Sequence, residues 1–293
     1  MAKYKQNSKK IMTIISDFSP LFEPVSIDEA YADITGLERL FGNPKELALM
    51  IKKKIYTDLS LTCSIGIAPI KFLSKIASDI NKPDGLTIIT KKEVTDFIAT
   101  LPIGKVPGVG KTTMKQMVMM EIATLGDIGK YDLSLLSKKF GKLGKRLLEL
   151  SNGIDTSKVE TGYLRKSISC ETTLSEDISD YDIIRKSILS HSQRVGRELR
   201  GKNLFCSTVF IKLKFSDFTQ ITRSKTLEID ICSSSAIFNT AISLFEKFEL
   251  KKKVRLTGVG VSSLKDKETP FQMLLIPSSD RDKNKKQWES VDK

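Results

Sequence analysis

Asp28 and Glu29 are neighbouring acids inside the run E-P-V-S-I-D-E-A-Y-A-D-I-T-G, residues 23–36. Two carboxylates at one place offer hard oxygen donors of the kind Mg²⁺ accepts beside substrate phosphates. Val25 and Ile27 precede the pair, and Ala30, Tyr31, Ala32 and Ile34 follow it. This apolar, β-branched setting predicts two short strands with the acids at a two-residue tip. A tight turn there lets both carboxylates reach one pocket, which a straight strand forbids. Lys71, Lys75 and Lys82 come next, spaced four and seven apart. The first two share a helical face and the third stands at the helix end. Three ammonium groups near a metal-binding turn suit a triphosphate, as point charges rather than bidentate partners. An acidic turn or a lysine face is by itself also ordinary solvated surface, so the surrounding elements decide.

Two further patterns bear on phosphates. P-G-V-G-K, residues 107–111, joins helix-forming stretches 93–100 and 111–120 as a helix–hairpin–helix turn. Gly108 and Gly110 are expected to adopt backbone geometry closed to other residues. Their amides, with the helix start at Lys111, can cradle one phosphate. The P-loop spacing is absent. F-G-K-L-G, residues 140–144, before a helix at 145–151, looks like a second such turn. Farther on, Val209, Ile211, Leu213 and Phe215 alternate with Phe210, Lys212 and Lys214, which predicts a strand with lysines on one face. Arg223 and Lys225 add two cations on the next strand. Such a surface suits sequence-independent phosphate contacts, although lysine also protects sheet edges.

The positioning elements follow from periodicity and breakers. Residues 7–18 read as a helix stopped by Pro20. Asn43-Pro44 opens a helix with Leu47, Met50, Ile51, Ile55 and Leu59 on one face. Lys52, Lys53 and Lys54 on that helix are given no function. A strand at 62–68, a helix opened by Pro69, the turn 81–85 and a strand at 86–89 complete an α+β domain. That second helix carries Phe72, Leu73, Ile76, Ala77 and Ile80. Residues 152–168 lack periodicity and read as a linker. Beyond them come strand 167–174, helix 179–199, strands 204–215 and 219–229, helix 233–248 and strand 254–263. This β-α-β-β-α-β order predicts a ferredoxin-like split unit, so the expected class is multidomain α+β.

Composition narrows the partners. The 293 residues carry a net charge of +13, with 40% hydrophobic and 28% charged residues. The positive excess is spread along the chain, which suits a long polyanion. No apolar run approaches a membrane span and no signal-peptide core follows the basic start, so a cytoplasmic protein without membrane contact is expected. Cys63, Cys170, Cys206 and Cys232 lie far apart, and His191 is the one histidine. A zinc site and disulfides are therefore not expected. His191 lies in a helical pattern and is expected at the surface or in packing.

Together, E-P-V-S-I-D-E-A-Y, C-S-I-G-I-A-P-I-K-F-L-S-K-I-A-S-D-I-N-K-P-D-G and V-P-G-V-G-K closely resemble the Y-family translesion DNA polymerases of the DinB type. The resemblance runs from about Tyr4 to Ile276. It implies a palm (1–90), a helical helix–hairpin–helix thumb (91–160), a linker (161–166), a ferredoxin-like little finger (167–277) and a charged tail (278–293). It further implies catalytic, Mg²⁺-binding roles for Asp28 and Glu29 in a two-metal site, with Lys75 and Lys82 on the incoming deoxynucleoside triphosphate. Gly108, Gly110 and Lys111 would hold a backbone phosphate, while Lys212, Lys214, Arg223 and Lys225 would track primer–template DNA. Gln272, Met273, Leu274, Leu275 and Ile276 resemble the Q-L-x-L-F peptide that docks on the sliding clamp, with Ile276 in place of phenylalanine.

One departure stands out. The family's D-x-D-x-F-F strand and its fingers do not appear in the sequence. One metal carboxylate, the steric gate and the fingers' nucleotide contacts are thus missing. The expectation is a truncated or split polymerase, monomeric, that extends primers little or not at all alone. The alternative is a non-catalytic DNA- and clamp-binding module.

Overall fold

The computed structural model describes residues 2–162, 165–247 and 249–266. The peptide read as clamp-binding, 272–276, and the charged tail lie outside the described residues. The chain divides into two compact units, Met1–Tyr163 and Leu164–Lys293.

The first unit opens with helix α1 (Ala2–Phe18), longer than the expected 7–18 because nothing before Asn7 breaks a helix. Strands β1 (Phe22–Pro24) and β2 (Ala30–Ala32) pair antiparallel. The predicted two-residue tip is corrected: residues 25–29 form a five-residue loop. Asp-Glu lacks the positive-φ preference that a two-residue turn demands. After the short helix α2 (Glu38–Phe41) comes α3 (Pro44–Leu59), capped by a reciprocal Asn43–Glu46 box. Its buried residues are Leu47, Ala48, Ile51 and Ile55, whereas Met50 is exposed, contrary to expectation. The small side chain of Ala48 takes the face that faces the core instead. Ile14 of α1 packs against these residues.

Strands β3 (Ile65–Ile67) and β4 (Leu86–Ile88) pair parallel, joined by helix α4 (Lys71–Ile80). Phe72, Leu73, Ile76 and Ala77 of α4 are buried, but Ile80 at its end is exposed. Helices α5 (Val94–Thr100), α6 (Lys111–Val118), α7 (Leu125–Ile128), α8 (Leu133–Phe140) and α9 (Lys142–Ser151) follow, with a 3₁₀ turn at Ile103–Lys105. The buried face of α4 and the apolar residues of α5–α9 share one core. Gly141, at φ +60°, makes the turn between α8 and α9, but α9 starts at Lys142 rather than Lys145, so Gly144 lies inside the helix and not in the turn. A Cβ at Gly144 would lie 2.2 Å from the Leu136 carbonyl oxygen, so glycine there serves close helix packing.

In the second unit, β5 (Ser167–Ile178), α10 (Tyr181–Gly201), β6 (Leu204–Phe215), β7 (Gln220–Ile231), α11 (Ser234–Phe245) and β8 (Val254–Asp266) form the expected element order. The sheet order is β5-β8-β6-β7, all neighbours antiparallel. Each βαβ unit is thus split by a strand from the other, and α10 and α11 cover one face. His191 is not a surface residue: it is 4% exposed, with Cys170 Sγ 3.4 Å from Nδ1 and Thr257 Oγ1 3.1 Å from Nε2. Among the described residues no helix is long and apolar enough to cross a membrane.

Candidate functional site

The acidic loop closes on itself before it meets anything else. The amides of Val25 and Ser26 both donate to the Glu29 carbonyl. Ser26 Oγ donates to Asp28 Oδ1 at 2.5 Å and accepts from the Asp28 amide at 3.2 Å. Ser26 therefore orients the Asp28 carboxylate, a role its place in the sequence did not announce.

Glu29 is the last residue of the loop, just before β2, and faces α4. Its carboxylate is ion-paired with Lys75. Lys75 also lies 3.5 Å from Asp79, and Asp79 pairs with Lys82 at 2.5 Å. Glu29, Lys75, Asp79 and Lys82 thus form a row of alternating charges. Burial works against the Lys75 ammonium, yet Glu29 and Asp79 outweigh it and raise its pKa. The Lys82 hydrogen bond holds the Asp79 carboxyl below its ordinary value. Sequence reasoning passed over Asp79, although its spacing of four from Lys75 and three from Lys82 was legible.

Lys52 also proves to have a definite place. Its ammonium donates to the Cys63 carbonyl at 2.6 Å, the Asp84 carbonyl at 2.8 Å and the Asp84 carboxylate at 2.5 Å. It staples the turn that carries Lys82. No local pattern revealed this, because the partners are 11 and 32 residues away.

The glycine turn divides in two. Gly108 has φ +98°, a conformation that favours glycine. Gly110 has φ −86° and ψ 178°, ordinary extended backbone, with open space where a Cβ would sit. The expectation that both need glycine is therefore corrected. Gly110 is the N-cap of α6, whose first residue Lys111 is exposed, and no side chain caps that helix start.

On the four-stranded sheet, Lys212 pairs across with Thr222 and Gly258, and Lys214 with Gln220 and Leu256, on the face away from α10 and α11. Arg223 opposes Ile211 and Lys225 opposes Val209. Cross-strand partners share a face, and Ile211 and Val209 are buried beneath the helices. Arg223 and Lys225 therefore lie on the helix side of the exposed edge strand, not beside Lys212 and Lys214. Lys212 donates to Glu171 at 2.7 Å, and Lys214 lies 4.9 Å over the Phe218 ring. Among the described residues no cluster of three or more His, Cys, Asp or Glu side chains forms a metal cage.

Comparison with known proteins identifies the family. Family models described as "impB/mucB/samB family", "DNA polymerase-iota, thumb domain" and "impB/mucB/samB family C-terminal domain" match residues 1–79, 104–155 and 165–275. DNA polymerase IV of Serratia proteamaculans (strain 568) is 39% identical over 279 residues, which cover 94% of this chain and 78% of the relative. The same-named protein of Salmonella typhi is 38% identical, covering 93% and 77%. Among solved structures, the Y-family DNA polymerase chimera Dbh-Dpo4(243-245)-Dbh superposes with a TM-score of 0.82 at 27% identity, covering 90% of this chain and 77% of that one. DinB from Sulfolobus solfataricus gives 0.56 at 27% identity, covering 89% and 76%. These family matches, identities and coverages show that the chain belongs to the Y family of DNA-directed DNA polymerases, in its DinB branch.

Proposed function

We propose that this chain is a translesion-type polymerase module whose acidic loop, with Lys75 of α4 and Lys82 of the turn after it, forms the phosphoryl-transfer site, and which on its own extends primers weakly or not at all. The row Glu29–Lys75–Asp79–Lys82, beside the loop that holds Asp28, carries this reading. Residues 1–90 act as palm, 91–160 as thumb, 161–166 as linker and 167–277 as little finger. The protein works as a cytoplasmic monomer, with residues 272–276 as its sliding-clamp peptide.

Asp28 and Glu29 fit a hard divalent cation, taken as Mg²⁺, because such an ion accepts one or two carboxylates and completes its shell with water and phosphate oxygens. Asp28 and Glu29 would hold that ion, which when bound would supply positive charge for activating a primer hydroxyl and supporting pyrophosphate departure. Lys75 and Lys82 contribute point charge to the triphosphate, and Asp79 keeps both ammonium groups in place. The amides at Gly108, Gly110 and the start of α6 hold a duplex phosphate. A donor set of two carboxylates grips the cation less firmly than three, which limits positioning of the reacting atoms.

Primer extension by the purified 293-residue chain tests the reading. Weak, Mg²⁺-dependent extension or none is expected, and efficient incorporation contradicts the proposed weakness. Asp28→Ala and Glu29→Ala should abolish any extension while DNA affinity stays within about twofold, since backbone phosphates dominate binding. The basic surface of the second unit favours a second reading, a non-catalytic DNA- and clamp-binding module. Under that reading the parent chain shows no extension at all while keeping its DNA affinity.

A further inference from the structure

We propose that Lys71 and Glu23 are positioning residues that clasp residues 155–160 onto the acidic hairpin, so that one ion pair sets both the path of that segment and the placement of Glu29. The clasp begins at the start of α4. Ile70, its N-cap, has no side chain that can cap the helix. The missing acceptor comes from 83 residues away, where Asp155 Oδ2 takes the Phe72 amide at 3.0 Å. A carboxylate at a helix N-terminus satisfies an orphan donor and complements the helix dipole. The other oxygen of Asp155 accepts from the Ser157 amide at 3.1 Å, which bends the segment back along the helix.

The bend delivers two backbone groups to one ion pair. Lys71 Nζ donates to Glu23 Oε2 at 2.5 Å and to the Lys158 carbonyl at 2.7 Å. The same Oε2 accepts the Glu160 amide at 2.7 Å. Lys71 also lies 4.8 Å over the ring of Tyr31, which is Glu23's cross-strand partner. The Lys71 and Glu23 side chains are only 16% and 19% exposed. This pair is therefore not the solvated kind that contributes little. Removing either member strands partly buried donors and acceptors of the other.

Geometry then links the segment to the acids. Glu23 lies in β1 and Glu29 just before β2, so they bracket the loop that holds Asp28. Lys71 and Lys75 stand one turn apart on α4, and each holds one bracket. Fixing Glu23 against the first turn of α4 sets Glu29 against the second. A shift of residues 155–160 must therefore act on the hairpin through the Lys71–Glu23 pair. Only the consequence for metal placement rests on the polymerase reading.

Backbone hydrogen exchange on the full chain tests the clasp, with Lys71→Met, Lys71→Arg and Glu23→Gln. In Lys71→Met the amides of Glu160, Val25 and Ser26 should exchange together, about tenfold faster or more, while α10 is unchanged. Lys71→Arg should restore most of the protection. Faster exchange at Glu160 alone, or at none of the three, overturns the proposal. Should Lys71→Met fail to fold, Glu23→Gln keeps the shape of the side chain and is read the same way. Mn²⁺ titration of the same proteins separates the two readings. Coupled exchange without Mn²⁺ binding supports the clasp and removes the metal assignment, whereas uncoupled exchange with Mn²⁺ bound overturns the clasp alone.

Discussion

Gly108 and Gly110 look equivalent in the sequence, and the backbone separates them. Gly108→Ala places a Cβ at φ +98°, 3.3 Å from Leu143 Cδ1. It should destabilise the first unit by about 1–2 kcal/mol, the cost of a left-handed conformation for a non-glycine residue. Gly110→Ala, at an extended position in open space, should leave the urea midpoint nearly unchanged. A loss of DNA affinity in Gly110→Ala with intact stability would mark that amide as a close phosphate contact; urea titration beside a DNA-binding isotherm separates the two effects. The same contrast of type and environment applies to Lys52, which is tied down by three oxygens, and Lys54, which has a surface i,i+4 pair with Asp58.

The contact between α10, β5 and β8 is where an element carries a titratable group. His191 on α10 is enclosed by Cys170 of β5 and Thr257 of β8, with Ser187 one turn earlier at 3.3 Å from Nε2. Burial pushes its pKa below 6.5; the hydrogen bond with Thr257 opposes this, Arg194 lowers it to a lesser degree, and Glu171 opposes it least. The unfolded chain then binds a proton at a higher pH than the folded one. Stability is full above about pH 6.5 and is lost as pH falls through that value towards the lower folded pKa. Urea midpoints followed by circular dichroism should therefore fall between pH 7.5 and pH 5.5. His191→Gln should flatten that dependence, and an unchanged slope would contradict the assignment.

At the scale of the whole molecule, the +13 charge is carried by both units rather than by one basic tail. Phosphate contacts release condensed counterions, so affinity for duplex DNA should fall about a thousandfold between roughly 50 and 200 mM salt if some six phosphates are neutralised. Fluorescence anisotropy across a salt series measures the slope, and a flat response would count against DNA as the partner. Lys212→Ala and Lys214→Ala should each lower that slope by about one, since each removes one counterion-releasing contact. Arg223→Ala tests whether the helix side of the edge strand also meets the duplex.

Local chemistry determined a great deal of this protein. The Asn43–Pro44 helix start, the amphipathic face of α4 and the six-element order of the second unit are all written in caps, breakers and periods, because each depends on neighbours within a few residues. The acids, the α4 lysines and the glycine turn were visible for the same reason. Tertiary structure alone decided the five-residue loop, the burial of His191, the cap that Asp155 lends to α4 and the separation of Arg223 from Lys214. Those features depend on strand register and on partners tens of residues apart, and a linear pattern carries no record of which distant groups a folded backbone brings within hydrogen-bond reach.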